Sequence, residues 1–137
     1  MYFLRADATG SYLEWAAGGG VASVPRTYTW FFPDTISTTQ LTPYIYVDTA
    51  VTTSGVKAIV TAAPTGSNAI VTLYKTTTGG FGGLTSIGTV TITSGNTTGT
   101  NTLVASIPAG VYLTAMVTQY GSTTRGSNLT VSLSCTT

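Results

Sequence analysis

Histidine is absent from this chain of 137 residues, cysteine occurs once, and charge is confined to five Lys or Arg and four Asp or Glu. Each shortage excludes a class of chemistry. Without histidine there is no Ser-His-Asp or Cys-His arrangement, no imidazole base and no histidine-bound metal. The lone Cys135 cannot close an intrachain disulfide and reads as a small apolar filler. So few carboxylates cannot build a calcium cage. Asp34 and Asp48 are formally the pair a glycosidase needs, but Asp34 follows Phe32-Pro33, where its side chain closes a turn, and Asp48 ends a strand segment. Neither Lys57 nor Lys75 has the neighbouring charge that activates an amine. No catalytic residue, metal or cofactor is expected.

The net charge is +1. Arg5, Arg26, Lys57, Lys75 and Arg125 are scattered, so no basic stripe is available for nucleic acid. Apolar runs such as Ala58-Ile59-Val60 fall far below the ~20 residues of a membrane helix. The opening Met1-Tyr2-Phe3-Leu4-Arg5-Ala6-Asp7 meets charge too early for a signal core, which predicts assembly in a cytoplasm.

What the chain has is threonine, about thirty copies, on a background that is 42% hydrophobic with a mean hydropathy of +0.31. Ordinary domains are about 25% charged; this one is 7%. Threonine favours extended backbone, and its hydroxyl can be covered by a partner without desolvating a charge. Composition therefore points to a subunit whose surface is built to be covered.

Residues 1–24 differ from the rest. Asp7-Ala8-Thr9-Gly10 is a turn sequence, and Gly18-Gly19-Gly20 a flexible joint. They form an N-terminal arm that, fully extended, could reach ~80 Å, with Tyr2, Phe3, Leu4, Leu13 and Trp15 as anchoring groups for a partner. The alternative is a first β-hairpin folded back on the chain's own domain. Residues 25–137 then read as one all-β domain of eight strands: 26–32, 43–48, 56–63, 69–75, 85–93, 103–107, 111–119 and 129–135. Alternation is clearest at Val111, Leu113, Ala115 and Val117, and again at Leu129, Val131 and Leu133. Eight antiparallel strands around one aliphatic core predict a jelly-roll-like sandwich, with an immunoglobulin-like sandwich as the alternative.

Tyr28, Trp30, Phe31, Phe32, Tyr44 and Tyr46 could form a sugar-stacking platform, but Tyr28, Trp30 and Phe32 share one strand face and are better read as core. Tyr74, Phe81, Tyr112 and Tyr120, apolar rings of which three carry a polar handle, are the better surface contacts. Phe81 sits in the glycine-rich tip Thr76-Thr77-Thr78-Gly79-Gly80-Phe81-Gly82-Gly83. Asn96-Thr97-Thr98 and Asn128-Leu129-Thr130 match the glycan-acceptor pattern at the rate chance allows in so threonine-rich a chain.

The segments Arg26–Phe32, Ala63-Pro64-Thr65-Gly66-Ser67, Ile107-Pro108-Ala109-Gly110 and Tyr120–Val131 together resemble a β-sandwich module of tailed-phage structural proteins, over residues 26–135. The chain departs from that pattern at Phe32-Pro33-Asp34, where a glycine is usual, and at Pro108-Ala109-Gly110-Val111, where an aspartate often stands. The resemblance implies a non-catalytic virion protein, often trimeric: capsid decoration, neck or tail fibre. With no heptad shaft and no second domain, a decoration or cement protein is expected. It would bind the major capsid protein on the outside of the shell, after assembly in the host cytoplasm. The alternatives are a fibre-tip module recognising host glycans and a neck or baseplate component.

Overall fold

The computed structural model describes residues 2–6, 13–17, 23–40, 42–79 and 83–137, the first two stretches as backbone. Strands β1 (Tyr2–Ala6) and β2 (Leu13–Ala17) pair antiparallel with each other, Tyr2 opposite Ala17 and Ala6 opposite Leu13. The segment expected to run as a single extended arm is thus a hairpin at these positions. Pairing satisfies the backbone groups that a lone strand would leave to water, and a five-residue strand spans only about 17 Å. The expected turn at residues 7–10 and the Gly18–Gly20 joint lie outside the described residues, as do the side chains of Tyr2, Phe3, Leu4, Leu13 and Trp15.

The remaining strands are β3 (Pro25–Thr35), β4 (Ile45–Tyr46), β5 (Val51–Ile59), β6 (Ala69–Thr76), β7 (Thr85–Ile92), β8 (Thr98–Thr102), β9 (Ser106–Ile107), β10 (Tyr112–Gln119) and β11 (Ser127–Thr136). One sheet runs β3-β11-β5-β8, with β9 also on β5; the other runs β4-β10-β6-β7. Their pairing is antiparallel and nested. The first strand, β3, pairs with the last, β11; β4 pairs with β10; β5 pairs with β8 and β9; β6 pairs with β7. A long antiparallel ribbon with its tip at the β6–β7 connection has been rolled up, and β11–β5 and β10–β6 contacts close the roll. That is jelly-roll topology, which settles the choice against an immunoglobulin-like sandwich.

Trp30, Phe32, Leu73, Ile92, Ile107, Leu113, Leu129 and Leu133 fill the space between the sheets, each almost wholly buried. Burial of each such side chain contributes roughly 1.5–3 kcal/mol. The buried indole of Trp30 donates to the Pro43 carbonyl at 3.3 Å. Cys135 also points inward, and burial pushes its thiol pKa up.

Nine strands, rather than eight, make up the two sheets because the sixth is broken into β8 and β9. β8 is Thr-Gly-Thr-Asn-Thr, with no apolar period to betray it, and the chain leaves the β5 edge at Leu103–Ala105 before returning as β9. Thr53 bridges the gap. Its backbone N–H donates to the Ala105 carbonyl (2.9 Å), its hydroxyl donates to the Leu103 carbonyl (2.7 Å), and the same hydroxyl accepts from the Ala105 N–H (2.7 Å). This makes a threonine a core residue, 2% exposed, and explains why β5 begins at Val51 although Thr52-Thr53-Ser54-Gly55 reads as a loop.

Two turn sequences far apart in the chain interlock. The Thr65 N–H donates to the Thr124 carbonyl (2.8 Å), the Thr123 N–H to the Thr65 carbonyl (2.9 Å), and the Thr124 N–H to the Thr65 hydroxyl (3.0 Å). A Cβ on Gly121 would lie 1.9 Å from the Thr124 oxygen, so only glycine fits. Pro64-Thr65-Gly66 and Gly121-Ser122-Thr123-Thr124 are therefore two halves of one corner that holds the loop after β10 against the loop before β6.

Candidate functional site

Register places the outward side chains of each sheet in rows. On the β3-β11-β5-β8 sheet, Phe31, Thr130, Ile59 and Thr98 form one row; Thr29, Ser132, Lys57 and Thr100 the next; Thr27, Ser134, Gly55 and Thr102 the third. Twelve positions carry one charge, Lys57. Phe31 is 55% exposed and Ile59 49%. They flank Thr130 and give the face an apolar end. At the other end the missing side chain of Gly55 leaves a shallow open depression of ≈ 500 Å³ bordered by Ser54, Lys57, Thr100, Thr102 and Ser134.

On the β4-β10-β6-β7 sheet, Tyr46 stands opposite Tyr112, and Tyr74 sits opposite Thr114, one outward position along from Tyr112. These three tyrosines form a diagonal band over three adjacent strands. The Tyr46 and Tyr112 ring centroids are 5.3 Å apart and the rings tilt by 58°. Beside them the outward threonines are tied down: Thr114 shares a hydrogen bond with Thr42 (2.9 Å), and Thr72 with Thr118 (3.0 Å). Both Thr114 and Thr72 are buried.

The expected surface contacts are therefore divided. Tyr74 and Tyr112 come together, joined by Tyr46. Tyr120 lies apart from them, packed against the core at one edge with the Arg125 guanidinium 4.3 Å above its ring. Phe81 lies outside the described residues. Among the aromatic run of β3, Trp30 and Phe32 are core while Phe31 is on the outer face, as strand alternation requires. Ile59 was legible in the sequence only as part of a core strand; what reveals it is its register against Thr130.

Asp34 and Asp48 sit on different elements, Asp34 near the end of β3 and Asp48 beyond β4. Asp48 pairs with Arg26 at 2.9 Å in the open, where such a bridge contributes little. Asp34 adopts a left-handed backbone (φ 61°), and its N–H donates to the Asn128 side-chain oxygen, 3.0 Å. Among the described residues no three His, Cys, Asp or Glu side chains converge on a common point, and no helix is long and apolar enough to cross a membrane.

No family model matches the chain, and no curated protein matches it. Among solved structures, a chain from the structure of infectious bursal disease virus, Gx strain, is similar over 92% of this chain at 16% identity and a TM-score of 0.38. This chain spans 34% of that one, and a likeness of that degree carries no inference about function.

Proposed function

We propose that this protein is a non-catalytic structural component of a phage particle: a decoration protein that binds the outside of the shell and stabilises it, as a homo-oligomer. The observation that carries this reading is the outer face of the β3-β11-β5-β8 sheet. Covering a charged face costs several kcal/mol per unpaired ion, whereas this face offers hydroxyls, one lysine and an exposed Phe31–Ile59 pair. A partner that laid neutral polar surface on it would bury apolar area and desolvate almost no charge. Four strands ≈ 4.8 Å apart and some 20–30 Å long supply a large part of the ≈ 800 Å² per partner of a standard interface. Repetition over a symmetric shell multiplies a weak individual contact.

The test is co-sedimentation with purified shells lacking the protein. Phe31→Ser with Ile59→Thr replaces two exposed side chains, so the sandwich keeps its melting temperature while shell binding falls by about tenfold or more, the loss expected on removing about 1.4 kcal/mol. Undiminished binding by the double variant would remove this face from the interface.

A further inference from the structure

We infer that the tyrosine band of the opposite sheet is a carbohydrate-binding site that takes one or two neutral sugar rings. Tyr46, Tyr112 and Tyr74 lie on adjacent strands of one face, Tyr46 more than half exposed and the other two partly so. Sugars are amphipathic in the way tyrosine is. The C–H faces of a pyranose pack on aromatic rings, and its hydroxyls take hydrogen bonds from phenols. Tyr46 and Tyr112 are in tilted contact, centroids 5.3 Å apart, which leaves no gap between the rings, so a pyranose would lie with its C–H face on the exposed side of the pair, with Tyr74 at the next outward position along the diagonal. The strand alternation that sends Tyr112 and Tyr74 outward sends Leu113 and Leu73 into the core, so the rings stand on fixed backbone.

Size decides between a sugar and a protein. Two strand spacings and one outward step make a band about 10 Å by 7 Å. That matches one or two pyranose rings and is far below the ~800 Å² a protein partner needs. Neutrality matches too: none of the band's own residues or their row partners Thr76, Thr114 and Ser86 is charged.

This site does not depend on shell binding, which uses the other sheet, and is read separately. Saturation-transfer NMR on the full chain would use the methyl glycosides of glucose, galactose, mannose, N-acetylglucosamine and rhamnose at millimolar concentration. The expected result is transfer to the sugar C–H protons of at least one glycoside, with shifts of the Tyr46, Tyr112 and Tyr74 ring resonances. Tyr46→Ala, at a half-exposed edge position, should weaken binding about tenfold, as should Tyr112→Ala, while Val104→Ser, an exposed site away from the band, should not. Tyr46→Phe should keep most of the transfer. Absence of transfer from every glycoside, or transfer unchanged in Tyr46→Ala and Tyr112→Ala, would overturn the assignment. So would concentration-dependent self-association in the ultracentrifuge that Tyr46→Ala abolishes without any sugar transfer, which would give the band to a second copy of the chain.

Discussion

Thr53 shows how much a single hydroxyl can carry in a chain with so little charge. It substitutes for the ladder bonds lost at the break between β8 and β9, satisfying both Leu103 and Ala105. Thr53→Val keeps the shape and removes those bonds, leaving a buried carbonyl and a largely buried N–H without partners. At about 1–3 kcal/mol for each such group, the variant should lose ~3 kcal/mol, or about 10 °C in melting temperature, whereas Thr53→Ser should lose much less. Equal melting temperatures for Thr53→Val and the parent would mean the break is held by packing alone. Tyr28 presents the converse case: its hydroxyl is buried with no hydrogen-bond partner among the described residues. Neither role was legible in the sequence, where Thr53 is one of about thirty threonines and Tyr28 one of several aromatics. Both roles depend on what lies across the sheet.

Elements with an apolar period were legible, and those without one were not. β10 and β11 alternate cleanly, so the positions of Leu113, Ala115 and Val117, and of Leu129, Val131 and Leu133, follow from sequence. β8 consists of threonine, glycine and asparagine and is a strand only because β5 offers it an edge. The threonine-rich start of β5 was hidden for the same reason. Two of the segments that carried the phage resemblance, those around Pro64-Thr65-Gly66 and Gly121–Thr124, prove to be the two sides of one locked corner. They report on how the sandwich closes rather than on what it binds. The candidate surfaces were half visible: Tyr74 and Tyr112 face outward by alternation, while their meeting with Tyr46, and that of Phe31 with Ile59, required the register. At this scale the β1–β2 hairpin can be tested by removal. Its ladder is internal, and the two main sheets are complete without it. Deleting residues 1–20 should therefore leave the melting temperature of the sandwich within a few degrees of the parent and, if the arm anchors the protein, abolish co-sedimentation with shells. Undiminished co-sedimentation would remove the arm from the anchoring role.

For the whole molecule, the scarcity of charge and the jelly roll belong to one design. Among the described residues, the outer faces of the two sheets carry mainly hydroxyl and aromatic side chains around an aliphatic core, with few charges. On the proposed reading, the β3-β11-β5-β8 face of such a molecule is the one suited to being laid against a neighbour many times over. The most direct test of the decoration role is the copy number of the protein per particle, by quantitative mass spectrometry against the major capsid protein. Decoration predicts an abundance that scales with the number of capsid subunits, near stoichiometric or one oligomer per symmetric set; a single ring's worth, about a dozen copies or fewer, would contradict it and move the protein to a neck or fibre.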